Sequence, residues 1–488
     1  MTYDDVSFVP PPAARQTLWS GPGEDVWMFR RNKRTISVAA AFVCIMAAGA
    51  AGQDAGQKGA GNPKDAKDAK DAKAQAPTPG RLKAYPSRYY VIYTDLGDDV
   101  VAEASARMTA MAEEYYLRTK DFGGVIRSRL PFYLYSRAED YHAAGGLPGS
   151  AGQFSGGRQG VLMALAGSQP SLSLWHTVQH EGFHQFVHMV IGGQIPVWVD
   201  EGLAEYFRLG IWTGDGFVTG MIPQGRLVAV RGYIKEDKIT PLADFLMMSG
   251  DEWRGAFSRK QTEKDKSKDG PKGQEGESDS DRVHINYDQA WSMVHFLVHA
   301  ENGKYRGSLS GFIADISAGT DWQASFKTRF GSNVKVFEQK YRQWWLALPD
   351  NPTMDIYIKA DAATLTSFLA RAASQGQSFT DAERFFRAAK AGNLKCNPAQ
   401  KLPASLLDRA LVSVRGWQRG WSIDNAARVP KLVLAWTDGT TFTGSFTVGG
   451  GQCANVKLTV TPPPPAVKGA TTKPGASKAP KKLAASGE

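Results

Sequence analysis

Residues 175–190 read WHTVQHEGFHQFVHMV and place His176, His180, His184 and His188 at four-residue intervals. The chain has 8 histidines in 488 residues, so half of them lie in this one stretch. On an α-helix each such interval advances the axis about 6 Å and turns it about 40° past a full circle. The whole stripe therefore spans about 18 Å and drifts about 120°, too far for all four rings to hold one ion. An adjacent pair does have the spacing at which two imidazoles grip one metal ion. Only His180 and His184 carry a glutamate directly after the first histidine, in His180-Glu181-Gly182-Phe183-His184. Glu181 emerges about 100° round from His180. From there a carboxylate reaches a zinc-bound water, whose proton it takes, without being a ligand itself.

A catalytic Zn2+ needs a third protein ligand and one open position. Glu201, in DEGLAEYF, lies 17 residues after His184. Gly192, Gly193 and Pro196 supply a turn between two helices, so the second is expected to return antiparallel with Glu201 facing the metal. Glu205 is at i+4 from Glu201 and shares its face. It is expected either to accept the free ring N–H of His180 or His184 or to be a solvated helix residue. Asp200 points off that face and reads as a helix cap. Gly182 is a poor helix former and is expected to admit a neighbouring strand or substrate.

HEGFH followed by VDEGLAEYF resembles the gluzincin zinc metallopeptidases of the peptidase MA clan. More narrowly, the chain resembles a family of exported bacterial proteins of unassigned function in that clan. The likeness runs from about 86 to 348 and takes in PFYLYSRAEDY and YDQAWSMVHFL. It implies an α+β, zincin-like fold with a small mixed sheet and an active-site helix. It also implies His180, His184 and Glu201 as zinc ligands, Glu181 as general base, and a peptide or protein substrate. In aminopeptidase-like relatives a tyrosine opens a helix resembling NYDQAWSMVHFL and donates to the oxyanion; the matching residue is Tyr287. A phenol beside zinc suits that role, and packing on the core suits a helix-start tyrosine equally. His295 and His299 read as core or surface histidines. The relatives' exopeptidase glutamate has no counterpart in GQFSGGRQGVLMAL, which is free of acidic residues. That disfavours an aminopeptidase and leaves endopeptidase action open. Substrate is expected along an edge strand, GVLMAL, by backbone pairing. The alternative is a non-catalytic peptide- or glycan-binding cell-surface protein on the same scaffold.

The rest of the chain frames that reading. RRNKRTISVAAAFVCIMAAGAAGQD has a basic run and an apolar run followed by A-x-A-like small residues, the pattern of an export signal. Residues 1–51 are read as lead and signal, with translation starting at Met1 or Met28. A periplasmic or secreted protein is expected, associated with the cell envelope if the signal stays uncleaved. Residues 52–80 are a low-complexity linker, 81–170 the N-terminal α/β part, and 171–350 the zinc-binding helical part. Residues 258–283 are read as a disordered insertion, 351–461 as a small C-terminal α/β domain, and 462–488 as a disordered tail. The net charge of +10 comes largely from lysines in the low-complexity stretches. No basic helix with interleaved aromatics appears, so no nucleic-acid partner is expected; a monomer is. Cys396 and Cys453 form either one disulfide or two buried thiols.

Overall fold

A computed structural model gives the fold of residues 82–119, 125–157, 159–192, 195–250, 252–253, 279–416 and 420–463. The expected signal and linker (1–80), most of the insertion at 258–283 and most of the tail at 462–488 lie outside the described residues.

The first sheet is built from β1 (Lys83–Pro86), β2 (Tyr90–Thr94), β3 (Leu130–Tyr135), β4 (Gly152–Ser155) and β5 (Val161–Leu165). Its order is β1-β2-β3-β5-β4. The central strands β2, β3 and β5 are parallel, and β1 and β4 pair antiparallel at the two edges. GVLMAL is therefore an interior strand, and the edge is β4. Of the four β4 residues only Phe154 is large and apolar, so no alternation marks it in the sequence. Its backbone pairs nevertheless, Gly152 opposite Ala164 and Phe154 opposite Leu162.

One face of the sheet carries Tyr90, Ile92, Phe132, Leu134, Leu162 and Ala164, all fully buried. Helix α1 (Asp98–Thr119) meets this core with Val100, Ala104, Met108, Met111 and Tyr115, a spacing of three to four that lines one helical face. Short α2 (Ala138–Ala143) lies near the other face, where Tyr133, Tyr135, Tyr141 and Met163 form a separate cluster.

Helix α3 (Leu172–Phe186) contains the histidine stripe. Ser171 caps it by accepting from the Leu174 N–H at 3.1 Å. Two buried glutamines lock it in place. Gln185 Nε2 donates to the carbonyls of Pro131 (2.9 Å) and Gly160 (2.6 Å), which ties α3 to the sheet. Gln179 Nε2 lies 2.9–3.0 Å from the carbonyls of Phe207, Arg208 and Gly210, at the end of α4 (Val197–Arg208). After Phe186 the helix widens into a π turn at Val187–Ile191, so His188 leaves the α-helical register. Gly182 faces Met111 of α1, where an added Cβ would meet Cε at 2.8 Å. The neighbour it admits is a helix, neither strand nor substrate.

After the hairpin of β6 (Ile211–Trp212) and β7 (Phe217–Val218) come α5 (Gln224–Lys235), α6 (Leu242–Met247) and α7 (Asp279–Gly303). The last contains Tyr287 in its third turn, so that residue does not open the helix. Helices α4 and α7 touch through Gly202, where a Cβ would stand 2.5 Å from the Ala290 carbonyl oxygen. Backbone cannot yield as a side chain can. Gly202→Ala is therefore expected to lower unfolding free energy by about 2 kcal/mol, despite alanine's better helix propensity; urea denaturation measures it.

His295, also on α7, is 1% exposed and lies 3.0 Å from the Gly220 carbonyl through Nε2. It sits among Trp291, Trp344 and Trp345 and stacks on His299 at 4.3 Å. It is a core histidine. Burial holds it down to about 4, against 6.5 when free. The unfolded chain thus takes up this proton first, and the stability it confers is complete above about pH 6.5 and lost as pH falls towards 4. From pH 7 to 5 the loss amounts to about 2 kcal/mol. In a His295→Gln variant the stability decrement between those pH values, read from urea midpoints in chelator, is expected to shrink by about that amount.

Helices α8 (Arg306–Ser317), α9 (Trp322–Phe330) and α10 (Val334–Ala347) complete the main core. The C-terminal stretch holds α11 (Met354–Ser374), α12 (Ala382–Lys390) and α13 (Ala404–Gly416). They are followed by β8 (Trp421–Asp424), β9 (Lys431–Ala435), β10 (Thr441–Gly449) and β11 (Gln452–Thr461), an antiparallel sheet in the order β11-β10-β9-β8. Asp438 and Gly439 (φ 89°) turn the β9–β10 hairpin. Arg371 of α11 reaches Asp215 between β6 and β7 with both terminal nitrogens, at 2.8 and 3.2 Å. Both cysteines are free: Cys396 is exposed and Cys453 buried on β11, so neither the disulfide nor a pair of buried thiols is found. Gln400 instead clasps Cys453, accepting its N–H at 3.0 Å and donating to its carbonyl at 2.8 Å. The chain is a mixed α+β protein with a small mixed sheet and a C-terminal antiparallel sheet. Among the described residues, no helix is long and apolar enough to cross a membrane.

Candidate metal centre

The structure brings His180, His184 and Glu201 together, with one candidate ligand atom from each lying within 4.8 Å of the others. His180 Nε2 and His184 Nε2 face each other at 3.1 Å. Glu201 Oε2 stands 3.4 Å from the first and 3.5 Å from the second. All three side chains are buried, Glu201 completely. Neither Glu201 oxygen has a hydrogen-bond donor at ordinary geometry. A buried carboxylate without a donor is costly, and ring nitrogens converging on it present lone pairs to the same small space. A cation between them satisfies all three, so this group could hold a metal ion.

Each imidazole is fixed from behind. His180 Nδ1 lies 3.0 Å from Glu205 Oε1. His184 Nδ1 lies 3.0 Å from Asp200 Oδ1. Asp200 is therefore no cap: the helix starts behind Pro196, and Asp200 falls inside its first turn. Being adjacent to Glu201 turns it about 100° round, far enough to reach the second ring while Glu201 faces both. A carboxylate on each Nδ1 selects the tautomer whose Nε2 lone pair points inward.

Without an ion, the same carboxylates favour protonated rings, and a bound metal would displace that proton. Burial disfavours charge on Glu201, but His184 and His180 outweigh it and bring it down to about 2. Burial opposes charge on His184 as well, yet Asp200 and Glu201 hold it well above the usual imidazole range. Glu205 is also buried, and Arg226 and Arg208 keep its carboxyl well below the usual range. Glu181 behaves differently. Burial raises it, and the two histidines only partly offset the effect. Its Oε2 accepts the Phe154 N–H at 2.8 Å, which pins the carboxylate to edge strand β4.

Tyr287 lies with its ring 6.4 Å from that of His180, half-buried, its other flank edge-on to Trp253 at 5.3 Å. It both packs and borders the site. The outer two histidines stay apart from the cluster. His188 Nε2 is 2.9 Å from the Gly157 carbonyl in the β4–β5 loop. His176 is held down to about 4 by burial and by Arg208 and Arg107. His176→Ala and His188→Ala are accordingly expected to retain bound metal at wild-type stoichiometry, measured by elemental analysis after dialysis.

Sequence reasoning missed Asp200, the Phe154 amide and Arg226. Only Asp200 left a signal, its adjacency to a ligand on a helix. The other two depend on how a short glycine-rich strand and α5 pack. The chain matches no protein-family model, no curated protein and no solved structure.

Proposed function

We propose that this chain is a zinc-dependent peptidase of the gluzincin type, with a zincin-like fold around α3 and the first sheet. The carrying observation is the buried convergence of His180, His184 and Glu201 with the Glu181 carboxylate held beside them on an edge strand. Two imidazoles and one carboxylate are a donor set of catalytic zinc sites. When bound, zinc supplies Lewis acidity, which acidifies water and polarises a carbonyl.

The chain's own groups supply the rest. Glu181, kept basic by burial, accepts the proton from the attacking water and passes it to the leaving amine. The Phe154 N–H holds that carboxylate in one orientation, so little reorganisation is needed at the moment of reaction. Asp200 and Glu205 keep His184 and His180 oriented. Tyr287, whose ring lies 6.4 Å from that of His180, is the candidate to donate to the oxygen on which negative charge develops. Strand β4 offers its outer edge to an extended peptide. An internal peptide segment suits such an edge, and the lack of any acidic residue in GQFSGGRQGVLMAL agrees with endopeptidase action.

The test is elemental analysis of purified protein combined with cleavage profiling on a peptide library. About one zinc per chain is expected, with cleavage that stops in chelator and returns with Zn2+. Protein without metal overturns the reading. Metal-loaded protein that leaves every peptide intact overturns catalysis and favours a binding scaffold.

A further inference from the structure

Behind Glu205 lies a second layer of charge. Arg226, in the first turn of α5, is largely buried, with its side chain 14% exposed. Its Nη1 sits 2.8 Å from Glu205 Oε2, and its Nε donates to Asp288 Oδ1 at 2.6 Å. Its guanidinium carbon lies over the Trp291 ring at 4.4 Å. Glu205 is thus held at both oxygens: Oε2 by Arg226, and Oε1 by Arg208 Nη1 at 3.1 Å and His180 Nδ1 at 3.0 Å. A planar fork can address two carboxylates while stacking on an indole; a lysine ammonium cannot.

We infer that Arg226 is a positioning residue for the metal centre, acting through Glu205 on His180. This rests on the metal reading given above. By fixing Glu205, Arg226 holds the His180 ring at the angle that directs Nε2 towards His184 and Glu201. It also joins three helices at that point, because Glu205 is on α4, Arg226 on α5, and Asp288 and Trp291 on α7. Without Arg226, Glu205 keeps Arg208 on one oxygen but is free to swing, and the ring loses its fixed support. Partners of this kind contribute about ten- to a hundredfold in metal affinity.

The experiment is a double-mutant cycle on zinc affinity, read by competition with a chromophoric chelator, on full-length protein shown folded by circular dichroism. Arg226→Met is expected to weaken zinc binding about tenfold or more, and Arg226→Lys to recover part of that loss. Glu205→Gln weakens binding too. In the Glu205→Gln background, adding Arg226→Met is expected to cost little more, because the two act in series. An equal further loss in that background overturns the inference and makes Arg226 a general stabiliser. So does wild-type affinity in Arg226→Met or, should that variant not fold, in Arg226→Lys. Absence of zinc from the wild-type protein instead removes the metal reading itself, and this inference with it.

Discussion

Replacing Glu181 with glutamine is expected to lower kcat/KM for a cleaved peptide by about a thousandfold, with zinc still bound at one per chain. The substitution is nearly isosteric. Its amide oxygen can still accept the Phe154 N–H that now binds Oε2 at 2.8 Å, so strand β4 and α3 keep their contact. The change removes the basic oxygen alone. General-base catalysis typically contributes about a hundred- to ten-thousandfold, and a base whose pKa is raised by burial lies in the effective part of that range. Removing a base from the chemical step lowers kcat and leaves KM largely unchanged. Full activity in Glu181→Gln, measured with metal content on the same sample, would show that another group takes the proton.

The parts of this centre that could be read from the chain are those set by a local period. His180 and His184 share a helical face because they are four residues apart, and Glu201 and Glu205 do so for the same reason. The strands at Tyr90–Thr94 and Leu130–Tyr135 are equally legible from their aromatic and aliphatic content. Legibility fails where tertiary packing decides. Strand β4 has too few apolar residues to show alternation, yet it forms the sheet edge that holds Glu181. Gly182 reads as admitting a strand or substrate, and only the crossing of α1 brings Met111 there. Arg226 sits 21 residues beyond Glu205 in the chain, and nothing in the intervening text brings them together. Asp200 lies between these cases. Its position is local, but its role depends on which histidine ring is within reach.

Glu201→Gln is expected to abolish tight zinc binding and to lower the stability of the metal-free protein. Structural zinc sites contribute about 10–16 kcal/mol over four ligands, or about 3 kcal/mol each. Loss of one charged ligand thus weakens binding by a hundredfold or more. His180→Ala and His184→Ala are expected to weaken it at least as much. They differ from Glu201→Gln in the metal-free state, because each leaves a cavity and removes one partner of the carboxylate behind the lost ring, Glu205 or Asp200. Glu201→Gln leaves no such cavity, but it removes the buried charge that stands 3.4 and 3.5 Å from the two rings and that they hold ionised. Thermal unfolding with and without zinc separates the two effects. The wild-type Tm should rise with zinc concentration, since a ligand that binds only the folded state stabilises it by mass action. The Glu201→Gln Tm should start below the metal-free wild-type value and stay flat as zinc is added. A zinc-dependent rise of wild-type size in that variant would show that the ion is held elsewhere.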